Sequence, residues 1–181
     1  MIRKIMLVLA SAVAALLVWV GLKPSAFHVE RSALINAAPS AVFEHVNDFR
    51  KWEAWSPWAK RDPAAKAVFE GSPTGPGAIF RWSGNDEVGE GSMKIVEAKP
   101  GEAIKIDLAF TKPFEGNNAV SFAFRPEGAG TRVTWSLDGE QGYIERLFCT
   151  IMNLNMDRMI GGDYEQGLAA LKSVVEGKAP G

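Results

Sequence analysis

Ile104-Lys105-Ile106-Asp107-Leu108-Ala109-Phe110 places a large apolar side chain at every second position. Successive strand residues point to opposite faces, so this stretch reads as a strand with one buried and one wet face. Working outward, Val120, Phe122 and Phe124 repeat the pattern, and Val133, Trp135 and Leu137 alternate with Arg132, Thr134 and Ser136. Upstream, Met93 and Ile95 flank Lys94, Phe80 and Trp82 alternate with Arg81 and Ser83, and Ala67 and Phe69 begin a further strand. Gly71 to Gly77 and Gly84-Asn85-Asp86 read as turns. Strands this closely spaced form an antiparallel meander with one apolar face.

Phe27 to Asn36 reads as a first strand, and Ala37-Ala38-Pro39-Ser40 introduces a helix striped by Val42, Phe43 and Val46. Phe49 to Trp58 is short and aromatic, with Pro57 limiting any helix there. From Tyr143 to Val175 the apolar residues Ile144, Leu147, Phe148, Ile151, Leu168 and Leu171 fall largely at helical spacing. Gly161-Gly162 is expected to interrupt this helix, Gly177 to cap it, and residues 177–181 to form a loose tail. An apolar sheet face must be covered, and this helix is the long element available to cover it. The fold class is therefore α+β, a curved antiparallel sheet wrapped around a long C-terminal helix, with a cavity left wherever the helix does not fill the curl.

The N-terminus adds a segment of another kind. Arg3 and Lys4 precede an apolar run from Ile5 to Leu22, ended by Lys23-Pro24. Such a run spans about 27 Å as a helix, near the thickness of a bilayer's hydrocarbon layer, and Trp19 suits the headgroup level. Ala12-Val13-Ala14 resembles a signal-peptide cleavage site, but the apolar run continues well past it, which favours an uncleaved anchor over a secreted product. A buried core helix would show a polar face, and none is visible. The basic residues put the N-terminus in the cytosol and the domain outside. Residues 1–22 are thus a transmembrane anchor, 23–26 a linker and 27–176 one domain.

Composition narrows the function. Of 181 residues, 47% are hydrophobic and 23% charged, enough for a sizeable core, and a net charge of −1 argues against nucleic-acid partners. Cys149 is the single cysteine, so neither an internal disulfide nor a Cys-rich zinc site can form. His28 and His45 lack partners at metal-ligand spacing, and neither G-x-S-x-G nor G-x-G-x-x-G occurs, so no metal or cofactor is expected.

Val29-Glu30-Arg31 leads to Ile35-Asn36-Ala37-Ala38-Pro39, then Val42-Phe43, Val46-Asn47-Asp48-Phe49, Trp52, Trp55-Ser56-Pro57-Trp58, Asp62-Pro63, Phe69-Glu70-Gly71, and Met159 to Leu168. In these stretches the chain resembles the START-like, or SRPBCC, superfamily in its polyketide cyclase/dehydrase-type branch. The resemblance covers nearly all of residues 27–176 and implies a helix-grip fold. It does not specify a reaction.

Candidate ligand-binding residues follow from the apolar face and the aromatic loop. Trp52, Trp55 and Trp58 would either wall a cavity mouth or plug one end of the sheet, the plug being the commoner role for such rings. Phe80, Trp82, Met93, Phe110, Phe122 and Trp135 fall on the inner face, with Met152, Met156 and Met159 on the helix side. If Trp82 and Trp135 both face the core, replacing either with Ala costs about 3–5 kcal/mol. Arg81 and Asp107 fall on the wet face, Asp163 and Glu165 either reach a cavity mouth or, the commoner case, lie on the helix surface, and no catalytic residue is selected. The resulting expectation is membrane-tethered binding of a lipid, isoprenoid or aromatic molecule. The alternatives are a cyclase/dehydrase-like enzyme, which rests on the resemblance alone, and a structural envelope domain with a filled core.

Overall fold

Glycine at positive φ tightens two of the turns of the meander: Gly101 (φ 70°) joins β4 (Glu90–Lys99) to β5 (Ala103–Lys112), and Gly128 (φ 59°) joins β6 (Gly116–Glu127) to β7 (Gly130–Glu140). In the computed structural model, which describes residues 1–177, these strands join β1 (Ala26–Ile35), β2 (Lys66–Gly71) and β3 (Ala78–Ser83) in one antiparallel sheet of order β1-β7-β6-β5-β4-β3-β2. Of the tail expected at 177–181, only Gly177 is among the described residues; its φ of 67° suits the position just past a helix end.

Between β1 and β2 the chain forms α2 (Pro39–Val46), a 3-10 turn (Phe49–Ala54) and α3 (Pro57–Arg61). Pro57 does not limit helix here but opens α3, because the N–H it lacks would have no intrahelical partner in a first turn. The α2 stripe Val42, Phe43 and Val46 is buried, and Phe43 packs edge-on to Phe124 of β6 at 5.7 Å.

The C-terminal helical stretch is two helices, α4 (Tyr143–Ile151) and α5 (Met156–Val175). The break lies at Met152–Asn155 rather than at Gly161-Gly162: Asn153 takes φ 51°, and the Asn155 side chain caps α5 by accepting from Asp157 N. Gly161 and Gly167 instead let α5 approach the sheet. A Cβ on Gly161 would lie 2.1 Å from the Arg31 guanidinium, and one on Gly167 would lie 2.8 Å from the Trp135 ring.

At the other end, α1 (Ile2–Leu22) has a mean hydropathy of 2.6 and is long and apolar enough to cross a membrane. Val20 is its one buried residue. Its last turns are fastened to α4: Tyr143 Oη donates to Leu17 O at 2.8 Å, Lys23 Nζ donates to Thr150 Oγ1 at 3.0 Å, and Arg146 donates to Lys23 O.

Candidate functional site

Strand register sorts the inner-face residues into cross-strand rows. One row runs Phe69, Phe80, Met93, Leu108; a second pairs Trp82 with Gly91 and Gly91 with Phe110; a third runs Ile104, Phe122, Trp135. All six strand residues singled out in the sequence therefore share one face, but two different environments divide them.

The half of the face near β1, β7 and β6 is sealed. Trp135 stacks on Tyr164 of α5 at 3.8 Å and on Phe122 at 4.9 Å, while Trp52 and Trp55 lie 4.6 Å apart and both meet Trp135 edge-on. The Trp52 and Trp55 indoles donate to Val46 O and His45 O, so their one polar group costs nothing on burial. Trp52 is 5% exposed, Trp55 and Trp135 1%, and Phe122 0%. A ring lining an open cavity would carry accessible surface, so the space expected between sheet and helix is filled here. Trp58 is half-buried beside this cluster, 5.9 Å from Trp135 and 6.2 Å from Tyr164.

At the other end of the face, β2 to β5 bury Ala78, Ile95, Ile104 and Ile106 but leave their aromatic residues part-exposed. Phe69 stacks on Phe80 at 5.2 Å, Phe80 on Trp82 at 5.8 Å, and Phe110 meets Trp82 edge-on at 5.6 Å. Phe80, Trp82, Met93, Leu108 and Phe110 are half-buried, and Phe69 is exposed. The Trp82 ring lies over Gly91, where a Cβ would come within 2.6 Å of it, and its Nε1 donates to Val88 O. The ring is thus held flat by its own sheet. Helix α5 follows β1, and the 3-10 turn reaches β3 through Phe49, 6.1 Å from Phe80, and β2 through the Arg50 guanidinium, 5.1 Å from the Phe69 ring.

The methionines on the helix side separate as well. Met156 packs against the core, whereas Met152 lies in the α4–α5 turn and Met159 on the outer side of α5, each about half exposed. The sheet-facing stripe of α5 is Gly161, Tyr164, Leu168 and Leu171, at spacings of three and four, and Met159 falls off it.

Ion pairs fasten α5. Arg31, on the inner face of β1, donates from Nε to Glu165 at 2.7 Å and from its terminal nitrogens to both Asp157 oxygens at 2.7 and 3.1 Å. These bonds raise the Arg31 pKa further and hold Asp157 below the usual carboxylate range. Asp163 is not on the helix surface as expected but buried, paired with Arg61 of α3. Glu165 remains exposed. Burial pushes the Tyr164 phenol up, and desolvation pulls His45 down. His28 pairs with Asp138 at the surface, and Cys149 is buried, accepting from Gln141. Among the described residues, no three His, Cys, Asp or Glu side chains converge as a metal-ligand set.

Sequence reading passed over Phe69, Leu108, Tyr164 and Arg31 as site residues. Parity was the available signal for Arg31, which falls in phase with Phe27, Val29, Ala33 and Ile35. For Tyr164 it was position, three residues from each of two close-contact glycines.

A meander closed by a C-terminal helix, with an aromatic inner face, defines the helix-grip class of proteins. A sequence profile described as polyketide cyclase/dehydrase and lipid transport matches residues 26–176, and the chain belongs to that family. Among curated proteins none matches. The fold is similar to that of protein MLL2253 from Mesorhizobium loti, at 15% identity and a TM-score of 0.61 over 84% of this chain and 99% of that one. Protein TTHA0849 from Thermus thermophilus is similar at 18% identity and a TM-score of 0.60, over 83% and 98%. The di-domain ARO/CYC StfQ of the steffimycin biosynthetic pathway is similar at 14% identity and a TM-score of 0.58, over 84% of this chain and 51% of that one.

Proposed function

We propose that this protein binds a hydrophobic small molecule, a lipid, isoprenoid or aromatic compound, on the open aromatic half of its inner face, tethered to a membrane by residues 1–22. The observation that carries this reading is the stacked ladder Phe69, Phe80, Trp82 with Phe110 at its edge, left part-exposed on a concave face otherwise covered by helices. A stacked aromatic ladder offers a flat apolar surface at little entropic cost to the protein, since Gly91 and the Val88 carbonyl already hold the Trp82 ring. Of the candidate contacts, Trp58, Phe80, Trp82, Met93, Phe110 and Met156 retain accessible surface, whereas Trp52, Trp55, Phe122 and Trp135 serve as the plug beside them.

The family description, which joins cyclase/dehydrase activity with lipid transport, supports a hydrophobic ligand. The length and hydropathy of α1 support the tether, and the basic Arg3 and Lys4 favour a cytosolic N-terminus with residues 27–176 beyond the membrane. The test is native mass spectrometry with organic extraction on the full chain purified from membranes. The expected result is a co-purified hydrophobic molecule that is lost, with secondary structure unchanged, in Trp82→Ala and Phe110→Ala. Ligand retention in both variants would place binding elsewhere. Alkaline extraction of the membranes tests the tether: an anchored chain stays in the pellet, and one cleaved after Ala14 is released.

A further inference from the structure

Helix α4 is amphipathic in the opposite sense to a surface helix of a soluble domain. Ile144, Phe148, Ile151 and Met152 recur at spacings of four, three and one, forming one stripe, and that stripe is 48–63% exposed. Leu154 in the following turn extends it at 38%. Three other side chains of the same helix turn elsewhere: Arg146 and Thr150 bond to Lys23, and the buried Cys149 faces the domain. A contiguous apolar stripe of this kind requires a cover.

What covers it follows from where α4 is fastened. Tyr143 reaches the Leu17 carbonyl and lies against Gly21, so α4 sits beside the last turns of α1. At that level the Lys23 ammonium lies 4.1 Å from the Trp19 ring. An indole, a phenol and an ammonium gathered at the end of an apolar helix mark the headgroup level of a bilayer. The exposed stripe of α4 is then continuous with the surface that α1 presents to lipid.

We propose that α4 lies in the interfacial layer of the bilayer that α1 enters, with Ile144, Phe148, Ile151 and Met152 among the acyl chains. This rests on the reading of α1 as an anchor. The occupant of the stripe is the lipid surface, not a second copy of the chain or a protein partner. Together α1 and α4 make a two-point attachment that sets the orientation of the domain on the membrane, where a single helix and a short linker would leave it free to swing.

The experiment uses the full chain in vesicles of phosphatidylcholine and phosphatidylglycerol, with Cys149→Ala as background and an environment-sensitive dye on one introduced cysteine. The positions are Phe148→Cys or Ile151→Cys on α4, Val8→Cys within α1 and Asp86→Cys in the β3–β4 turn. Brominated lipids report depth. The α4 labels are expected to be blue-shifted and quenched most by bromines placed about 5–10 Å below the headgroups, where interfacial helices lie. The Val8 label is expected to be quenched by the deepest bromines and the Asp86 label by none. A water-like α4 label beside a deeply quenched Val8 label overturns the α4 proposal and leaves the anchor standing. A Val8 label that lipid does not quench overturns the anchor, and the α4 proposal with it. An α4 label that is blue-shifted but unquenched by lipid, and that cross-links to the same position on another chain, identifies a second copy as the cover and overturns the proposal.

Discussion

Trp135 and Trp82 sit on the same face of the same sheet, each in an alternating strand, and their surroundings differ completely. Around Trp135 the face is closed by α5, the 3-10 turn and α3, with five aromatic neighbours within 6.1 Å: Trp52, Trp55, Trp58, Phe122 and Tyr164. Around Trp82 the rings stack on one another within the sheet, and among the described residues no α-helix packs on β3 as α5 packs on β1. The packing that holds the helices and the proposed ligand surface therefore fall on different parts of one face. The sealed half anchors the helices, and the open half can change its side chains without unfolding the domain.

The largest effect expected from this division is at Trp135. Replacing it with Ala removes a sealed ring and costs about 3–5 kcal/mol, whereas Trp82→Ala costs about 1–2 kcal/mol because the ring is already part-exposed. Urea unfolding of the two variants measures both, and equal losses break the comparison. Next comes Gly167→Ala, whose new Cβ would lie 2.8 Å from Trp135 and 3.2 Å from Pro57. Neither neighbour can withdraw, so a net loss of about 1–2 kcal/mol is expected despite the better helix propensity of Ala. Gly162→Ala sharpens the contrast in the other direction. Nothing lies within 4 Å of its Cβ, and the thermal midpoint should rise, by the equivalent of about 0.5–1 kcal/mol. A fall would mean that α5 is not continuous through this pair.

The smallest effect concerns the Arg31 clamp on the sealed side. Asp157 is held by Arg31 below its ordinary value of 3.8. A carboxylate whose folded pKa is depressed contributes in full above the unfolded value, and the contribution is lost as pH falls through the folded one. The stability difference between the wild type and Asp157→Asn should thus be constant near neutrality and shrink in acid below 3.8. Urea midpoints across that range test it, and a difference independent of pH would remove the clamp from the account.

Much of this was legible in the residues. The alternation at 104–110, 120–124 and 133–137 identified the strands and their inner face, and the stripe of Val42, Phe43 and Val46 identified α2. The aromatic loop Trp52 to Trp58 was legible as a wall or a plug, and only the ring contacts and burial of Trp52 and Trp55 separate the two. The place of the helix break was not legible, because glycine both weakens a helix and permits close packing, and only the neighbours of Gly161 and Gly167 distinguish these roles. Met152 and Met159 were misplaced for a related reason: with the break set at the wrong residues, the phase of the helix around them was wrong.

The amino-acid sequence alone determined which side chains share the inner face, because strand periodicity is a local property of the chain. It likewise determined that residues 2–22 form a helix apolar enough to enter a membrane. Only the tertiary structure decided which half of the face is sealed. That depends on where α5 lies over the sheet, and so on Arg31, Gly161, Tyr164 and Gly167 meeting across more than a hundred residues of chain.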